Sequence, residues 1–270
     1  MLNELETIRL ELRPPWAELV LNRPDVRNAI SAPMIEEICR TLEVLERDER
    51  VKVLIMRGEG AAFCAGADLD ELRRIQHSSS EDNLSASRDL VRLFRTIYTY
   101  PKATIAAVHG YCIAGGCGIA TGCDLVIADS TARFRYSEAA IGFVAAIVAV
   151  FLLRSVGEKH ARELLLTARM TPAEDALRMG LINEVVEEGA HVERAREVAR
   201  EIALNSGTSI TFSKEVLANI PSMRLDEAFD FAATINATGR LNSECLEGIA
   251  AFLEKRTPTW REEVERLLDE

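Results

Sequence analysis

At 270 residues, with 48% apolar and 28% charged side chains, the chain has room for one large domain, or one domain with a helical appendage. A formal charge of −11 and the lack of any basic stripe argue against nucleic-acid binding. No apolar run reaches the roughly 18 residues that span a bilayer, and the opening residues lack the pattern of a secretory signal, so no membrane association and a cytoplasmic location are expected.

In chain order, Thr7 to Arg13 alternates apolar and polar residues, predicting a strand with Ile8, Leu10 and Leu12 on one face. Pro14-Pro15 marks a turn into a second strand, Ala17 to Leu21, followed by loop chemistry at Asn22 to Asp25. A helix is expected from about Pro33 to Arg47, with Met34, Ile35, Ile38, Cys39, Leu42 and Leu45 as its apolar stripe. Val51 to Met56 reads as a buried strand ending at Gly58. The polar stretch Gln76 to Ser87 reads as a loop, either a mobile segment over a pocket or an ordinary surface loop.

The rhythm then recurs: a helix from about Leu84 to Tyr98, a strand Ala103 to Val108, a helix opening at Gly115, and strands Asp124 to Ala128 and Ala132 to Tyr136. Strands interleaved with helices indicate an α/β domain with largely parallel pairing. From Ala146 onward the pattern is almost wholly helical. Thr171-Pro172-Ala173-Glu174 reads as a capping box with Pro at the first helical position. Further helices fit Val192 to Asn205, Ser209 to Ile220, Leu225 to Gly239 and Glu244 to Lys255. The core is assigned to residues 1–200 and a helical region to 201–270.

Two glycine-bearing stretches carry the functional signal: Phe63-Cys64-Ala65-Gly66-Ala67-Asp68 and Ala114-Gly115-Gly116-Cys117-Gly118. Each follows a strand-like run and precedes a helix-like one. A helix start leaves backbone N–H groups without an intrahelical partner, and small residues let a ligand approach them. Two such groups aimed at one point form an oxyanion hole, which stabilises a carbonyl becoming an enolate. Ala65 and Gly115 are the expected donors. Glu138 lies in apolar sequence, where desolvation makes a carboxylate a better proton shuttle at neutral pH; the alternative is an ion pair with Arg133 or Arg135. Asp68 is expected to cap a helix. Arg27 and Lys255 are candidate cations for an anionic ligand.

Rival chemistries fit less well. A dinucleotide fingerprint starting at Gly116 would place its third glycine at 121, which is Thr121. His109 and Cys117 stand near each other without a nucleophile signature, and His77, His160 and His191 have no ligand spacing around them. No catalytic metal is expected. The six cysteines read as small buried hydrophobes.

With these motifs in place, the chain resembles the crotonase superfamily, in its enoyl-CoA hydratase/isomerase branch. The segment Phe63 to Leu69 resembles the family's A-G-A-D-L signature, and Pro101 to Cys123 its central strand–Gly-Gly–helix element. The resemblance extends from Asn28-Ala29 to Phe252-Leu253-Glu254-Lys255-Arg256. It implies an α/β crotonase (ClpP-like) fold, a spiral of ββα units with a C-terminal helical region that builds trimers or hexamers. It implies oxyanion-hole N–H groups at Ala65 and Gly115, and Glu138 as the family's second catalytic glutamate. Coenzyme A would be held by Arg27, Ala29, Ala65, Gly66, Ala67, Asp68, Leu69, Gly115 and Gly118. Phe252 and Lys255 would reach it too, from the same or a neighbouring subunit. No separate cofactor is implied, because coenzyme A is part of the acyl-CoA substrate.

One departure bears on the reaction. Two-glutamate hydratases carry their first glutamate where this chain has Gly118. The residue before Glu138 is Ser137 instead of proline, and Ala145 stands where a loop proline is usual. Whole-chain similarity points to hydration of short- or medium-chain 2-enoyl-CoA, which is the leading expectation. Gly118 points to isomerisation between 3-enoyl- and 2-enoyl-CoA by Glu138 alone. Loss of the carboxylate also admits an inactive acyl-CoA-binding or scaffolding protein.

Overall fold

A computed structural model describes residues 5–269, apart from the side chain of Leu69. The first two strands, β1 (Ile8–Arg13) and β2 (Trp16–Leu21), form an antiparallel hairpin. After α1 (Ala32–Glu46), three units follow with one plan. Each has a strand in a large sheet, a three-residue strand in a small sheet, and then helix. They are β3 (Val53–Gly58), β4 (Ala62–Cys64), α2 (Leu69–Ile75) and α3 (Ser80–Tyr98); β5 (Ala103–Val108), β6 (Tyr111–Ile113) and α4 (Gly115–Gly122); and β7 (Leu125–Asp129), β8 (Arg133–Arg135) and α5 (Ala146–Thr167). The chain closes the sheets with β9 (Thr171–Pro172), α6 (Ala173–Met179) and β10 (Glu184–Val186). The large sheet has the order β1-β2-β3-β5-β7-β10, parallel from β2 onward, and the small one β4-β6-β8-β9. The expected ββα repetition is thus present.

Period-2 alternation sorts the large sheet's side chains to two buried faces, so its strands read as continuous apolar runs. Leu54, Met56, Ala106, Val108, Val126 and Ala128 face the core shared with α1, α3, α4 and α5. Val53, Ile55, Ala103, Ile105, Ala107 and Ile127 face α7 (His191–Ala203), whose Ala195, Ala199 and Ala203 stand at i,i+4 spacing and let the helix lie close. The remaining helices are α8 (Gly207–Asn219), α9 (Leu225–Arg240), α10 (Ser243–Glu254) and α11 (Thr259–Asp269). The sequence reading did not place α11; it returns to the sheet and buries Val264 in the α7-side core.

Two expectations are corrected. The polar stretch Gln76 to Ser87 is not a long loop. Ser79 and Asp82 form a capping box, so α3 starts at Ser80 and only residues 76–79 connect it to α2. Thr171 is not a helix cap: Thr171–Pro172 pairs with β8, Pro172 occupies the cap position of α6, and no side-chain cap bond forms.

Candidate active site

The first glycine turn is fastened to the loop after β2. Asn28, fully buried, donates through Nδ2 to the carbonyls of Glu59, Ala62 and Phe63, and its Oδ1 accepts from Arg23 N at 2.8 Å. Arg23 Nη1 donates to the Ala29 carbonyl at 2.6 Å and to Asp68 Oδ2 at 2.8 Å. Asp68 caps α2, accepting from Asp70 N at 2.9 Å, and Arg23 together with that amide holds its carboxyl below the usual range against burial, which acts the other way. Sequence reasoning named Asn28 only as the start of a resemblance. Its positioning role depends on three carbonyls more than 30 residues away.

Tracing the backbone donors corrects the oxyanion-hole expectation. The Ala65 N–H donates to the Arg27 carbonyl at 2.9 Å and is committed to the fold. Ile30 N donates to the Gly66 carbonyl at 2.7 Å, and Asp68 N to the Ile30 carbonyl at 3.0 Å. Ala67 lies between these bonds in a parallel bridge with Ile30, and its N–H donates to no described residue. Ala67 is exposed, so its N–H is open to solvent or to a ligand at the cavity. Gly115, the first residue of α4, likewise has no partner for its N–H among the described residues. Ala114 before it sits at φ 49°, ψ −112°, a conformation uncommon for a residue with a Cβ and typical of functional turns.

Ala67, Ala114 and Gly115 line a cavity of about 200 Å³. Its walls are largely apolar: Ile30 and Ile35, Leu72 and Ile75 of α2, Leu90 and Phe94 of α3, and Phe143, Ile147 and Val148 around the start of α5. Helices α2 and α3 therefore cover the cavity in place of the expected loop. Glu138 joins this wall from a single turn of 3-10 helix at Glu138–Ile141. Its Oε2 is buried with no hydrogen-bond partner among the described residues, and burial raises its pKa above the ordinary 4.5. The alternative ion pairs do not form. Arg133 donates to the carbonyls of Ser130 and Ala132, and Arg135 to that of Ala168. Two further carboxylates, Glu71 and Asp89, reach the cavity wall; Glu71 pairs with Arg74 at 3.2 Å.

Gly118 does not line the cavity, although sequence reasoning grouped it with the binding residues. It is buried in α4 beneath two side chains. A Cβ at this position would lie 2.7 Å from Val148 Cγ1 and 2.8 Å from Phe94 Cζ. Of the other expected coenzyme A contacts, Arg27 lies over the Tyr111 ring at 5.7 Å; Ala29, Ala65, Gly66 and Asp68 serve the turn itself; and Leu69's side chain is outside the described residues. Phe252, 80% exposed, and Lys255 are on and just after α10 and do not line this cavity. Among the described residues no group of three or more His, Cys, Asp or Glu is placed to hold a metal ion, and no helix is long and apolar enough to cross a membrane.

Arranged in this way, the residues can do one kind of chemistry. Two amides without a partner among the described residues line a cavity whose wall also carries Glu138, one of whose carboxylate oxygens is buried and unpaired. That arrangement can hold an oxygen gaining negative charge while a proton moves at a neighbouring carbon.

Comparison with known proteins identifies the family. The sequence profile of the enoyl-CoA hydratase/isomerase family matches residues 16–263. A Thermus thermophilus protein provisionally described as an enoyl-CoA hydratase is 46% identical over 242 residues, covering 90% of this chain and 96% of that one. The short-chain-enoyl-CoA hydratase of Clostridium acetobutylicum is 31% identical, covering 94% of this chain and 97% of its own. Among solved structures, an enoyl-CoA hydratase from Shewanella pealeana superposes with a TM-score of 0.91 at 30% identity, covering 95% of this chain and 97% of that one. With its crotonase-type fold, the chain belongs to the enoyl-CoA hydratase/isomerase family.

Proposed function

We propose that the chain acts on coenzyme A thioesters of unsaturated fatty acids, with Glu138 as its single proton carrier and the amides of Ala67 and Gly115 as its oxyanion hole. Of the two reactions named for the family, the cavity favours migration of a double bond from 3-enoyl- to 2-enoyl-CoA. The observation that supports this reading is that α4 (Gly115–Gly122) bears no carboxylate and that Phe94 and Val148 close the space over Gly118. Double-bond migration needs only one base. The Glu138 carboxylate takes a proton from the carbon next to the thioester, and the electron pair spreads onto the thioester oxygen, held by the two amides. The double bond shifts as the protonated Glu138 returns the proton to the far carbon.

Hydration is the second reading. It is favoured by the hydratase descriptions of the relatives and by Glu71 and Asp89 at the cavity wall, which could serve as a second acid–base group. Supplying 3-hexenoyl-CoA and 2-hexenoyl-CoA separately decides between them. Our reading expects the first to gain the absorbance of a conjugated thioester, with no 3-hydroxyacyl product. Water addition to the second, without migration in the first, would replace it with hydration. Failure to turn over either would leave a binding or scaffolding protein.

The reading extends to self-association. Leu217, Leu225, Phe229, Leu241, Phe252 and Leu253 on or beside α8–α10 are each more than half exposed. A trimer or hexamer of this chain would cover them and would bring Phe252 and Lys255 to a neighbour's coenzyme A. Light scattering of the purified chain at micromolar concentration should give a mass at least three times that of the monomer; a monomer would contradict this part of the reading.

A further inference from the structure

The closure over Gly118 has a second consequence. A Cβ built on Gly118 would lie 2.7 Å from Val148 Cγ1, 2.8 Å from Phe94 Cζ and 2.9 Å from Phe94 Cε1. The same Phe94 Cζ lies 3.9 Å from the corresponding point on Gly115. One ring tip therefore stands over both the amide-bearing Gly115 and the closed position at 118. The two side chains arrive from different helices, Phe94 from α3 and Val148 from α5.

The ring is also held in place. Phe94 is 2% exposed and packs edge-on against Phe151, with centroids 6.3 Å apart. Phe151 in turn rests on Tyr98 at 5.0 Å. In a close-packed interior such a ring cannot swing aside without displacing its neighbours, so it acts as a fixed wall.

We propose that Phe94, backed by Val148, is the specificity-determining end wall of the acyl cavity. It limits the acyl group by length and keeps water off the α4 side of the cavity. This rests on the acyl-CoA reading above and adds to it a residue that sets which acyl groups fit. An end wall discriminates by steric exclusion, and one methylene in an apolar pocket is worth ~10–200-fold.

The test is the binding of butyryl-, hexanoyl-, octanoyl- and decanoyl-CoA, with free coenzyme A as reference, measured by calorimetry on the full chain. These saturated thioesters do not react, so the readout is independent of turnover. Wild type should prefer the shorter chains. Phe94→Leu and Val148→Ala should each raise the decanoyl-to-butyryl affinity ratio by about tenfold or more. An unchanged ratio in variants whose melting remains cooperative overturns the assignment while leaving the acyl-CoA reading intact. If wild type binds none of the thioesters better than free coenzyme A, the acyl-CoA reading itself fails and the end wall with it. Should Phe94→Leu fail to fold, Val148→Ala decides alone, because it removes the other half of the same closure.

Discussion

Glu138 and Glu18 are both withdrawn from water, and their surroundings drive them in opposite directions. Glu18, on β2, has a side chain with no exposed surface. It is bonded by Arg57 at 2.8 Å and Arg196 at 2.7 Å, with Arg13 at 3.6 Å. Burial pushes its pKa up, but the arginine contacts prevail and hold it below the usual range. Glu138 has no such cation, and burial raises it. On the proposed function, the difference separates a structural carboxylate from a working one: surrounded by arginines, a carboxylate stays charged, whereas a buried one without a cation can accept and return a proton.

The largest effect that would break this comparison is on turnover. Glu138→Gln should lower kcat by about 10²-fold or more, the scale of a lost acid–base group, while acyl-CoA affinity stays within about threefold. The same variant should melt no lower than wild type. A raised carboxylate pKa contributes stability only below the unfolded value and costs stability as pH rises through the folded one, so at neutral pH the neutral amide removes a penalty. Retention of more than about a tenth of the rate would count against Glu138.

Glu18→Gln should do the reverse. Activity per folded molecule should hold, and stability should fall by about 3–5 kcal/mol, because Arg57 and Arg196 are left uncompensated. The lowered pKa of Glu18 also means its contribution is present above the unfolded value and lost as pH falls through the folded one. Urea unfolding at neutral pH and near pH 4 measures both. A variant as stable as wild type would show that the arginines find water instead.

Gly118→Ala sharpens the comparison on the α4 side. Its Cβ would collide with Phe94 and Val148, and overpacking of this kind costs about 1–3 kcal/mol. For the same reason, Gly118→Glu should not turn the chain into an efficient hydratase. Gain of hydration on 2-hexenoyl-CoA by that single change would show that the closure yields easily.

The smallest expected effect concerns His191. It packs against His109, ring centroids 4.8 Å apart, with Nδ1 3.2 Å from Asp129 Oδ2. Burial, His109 and Arg57 lower its pKa to about 4, against the pull of Asp129. Stability should therefore decline as pH falls from 6.5 towards 4, where the unfolded chain takes up the proton first. His191→Gln should flatten that slope, and an unchanged slope would assign it to the carboxylates.

The large sheet was legible in the sequence because β3, β5 and β7 are apolar runs bounded by turn residues. The small sheet was not, since β4, β6 and β8 have three residues each and no period can be read from three. Glu138 and both glycine turns were found from local pattern. Ala65 is not available as a donor because its N–H is taken by the Arg27 carbonyl, whose position no local pattern reports. The polar run at 76–87 misled for a related reason: most of it is the exposed face of a capped helix, and polarity alone does not separate that from a loop. The closure over Gly118 joins Phe94 and Val148, which lie 24 positions before it and 30 after it and meet only through α3 and α5.

The pH dependence of kcat/KM on 3-hexenoyl-CoA tests the central claim most directly. One carboxylate acting as base, lifted by burial, predicts a single acid-side ionisation above the ordinary 4.5 of a glutamate, with the rate rising tenfold per pH unit below it. A rate that stays level below pH 4.5, or a Glu138→Gln profile that superimposes on wild type, would contradict it.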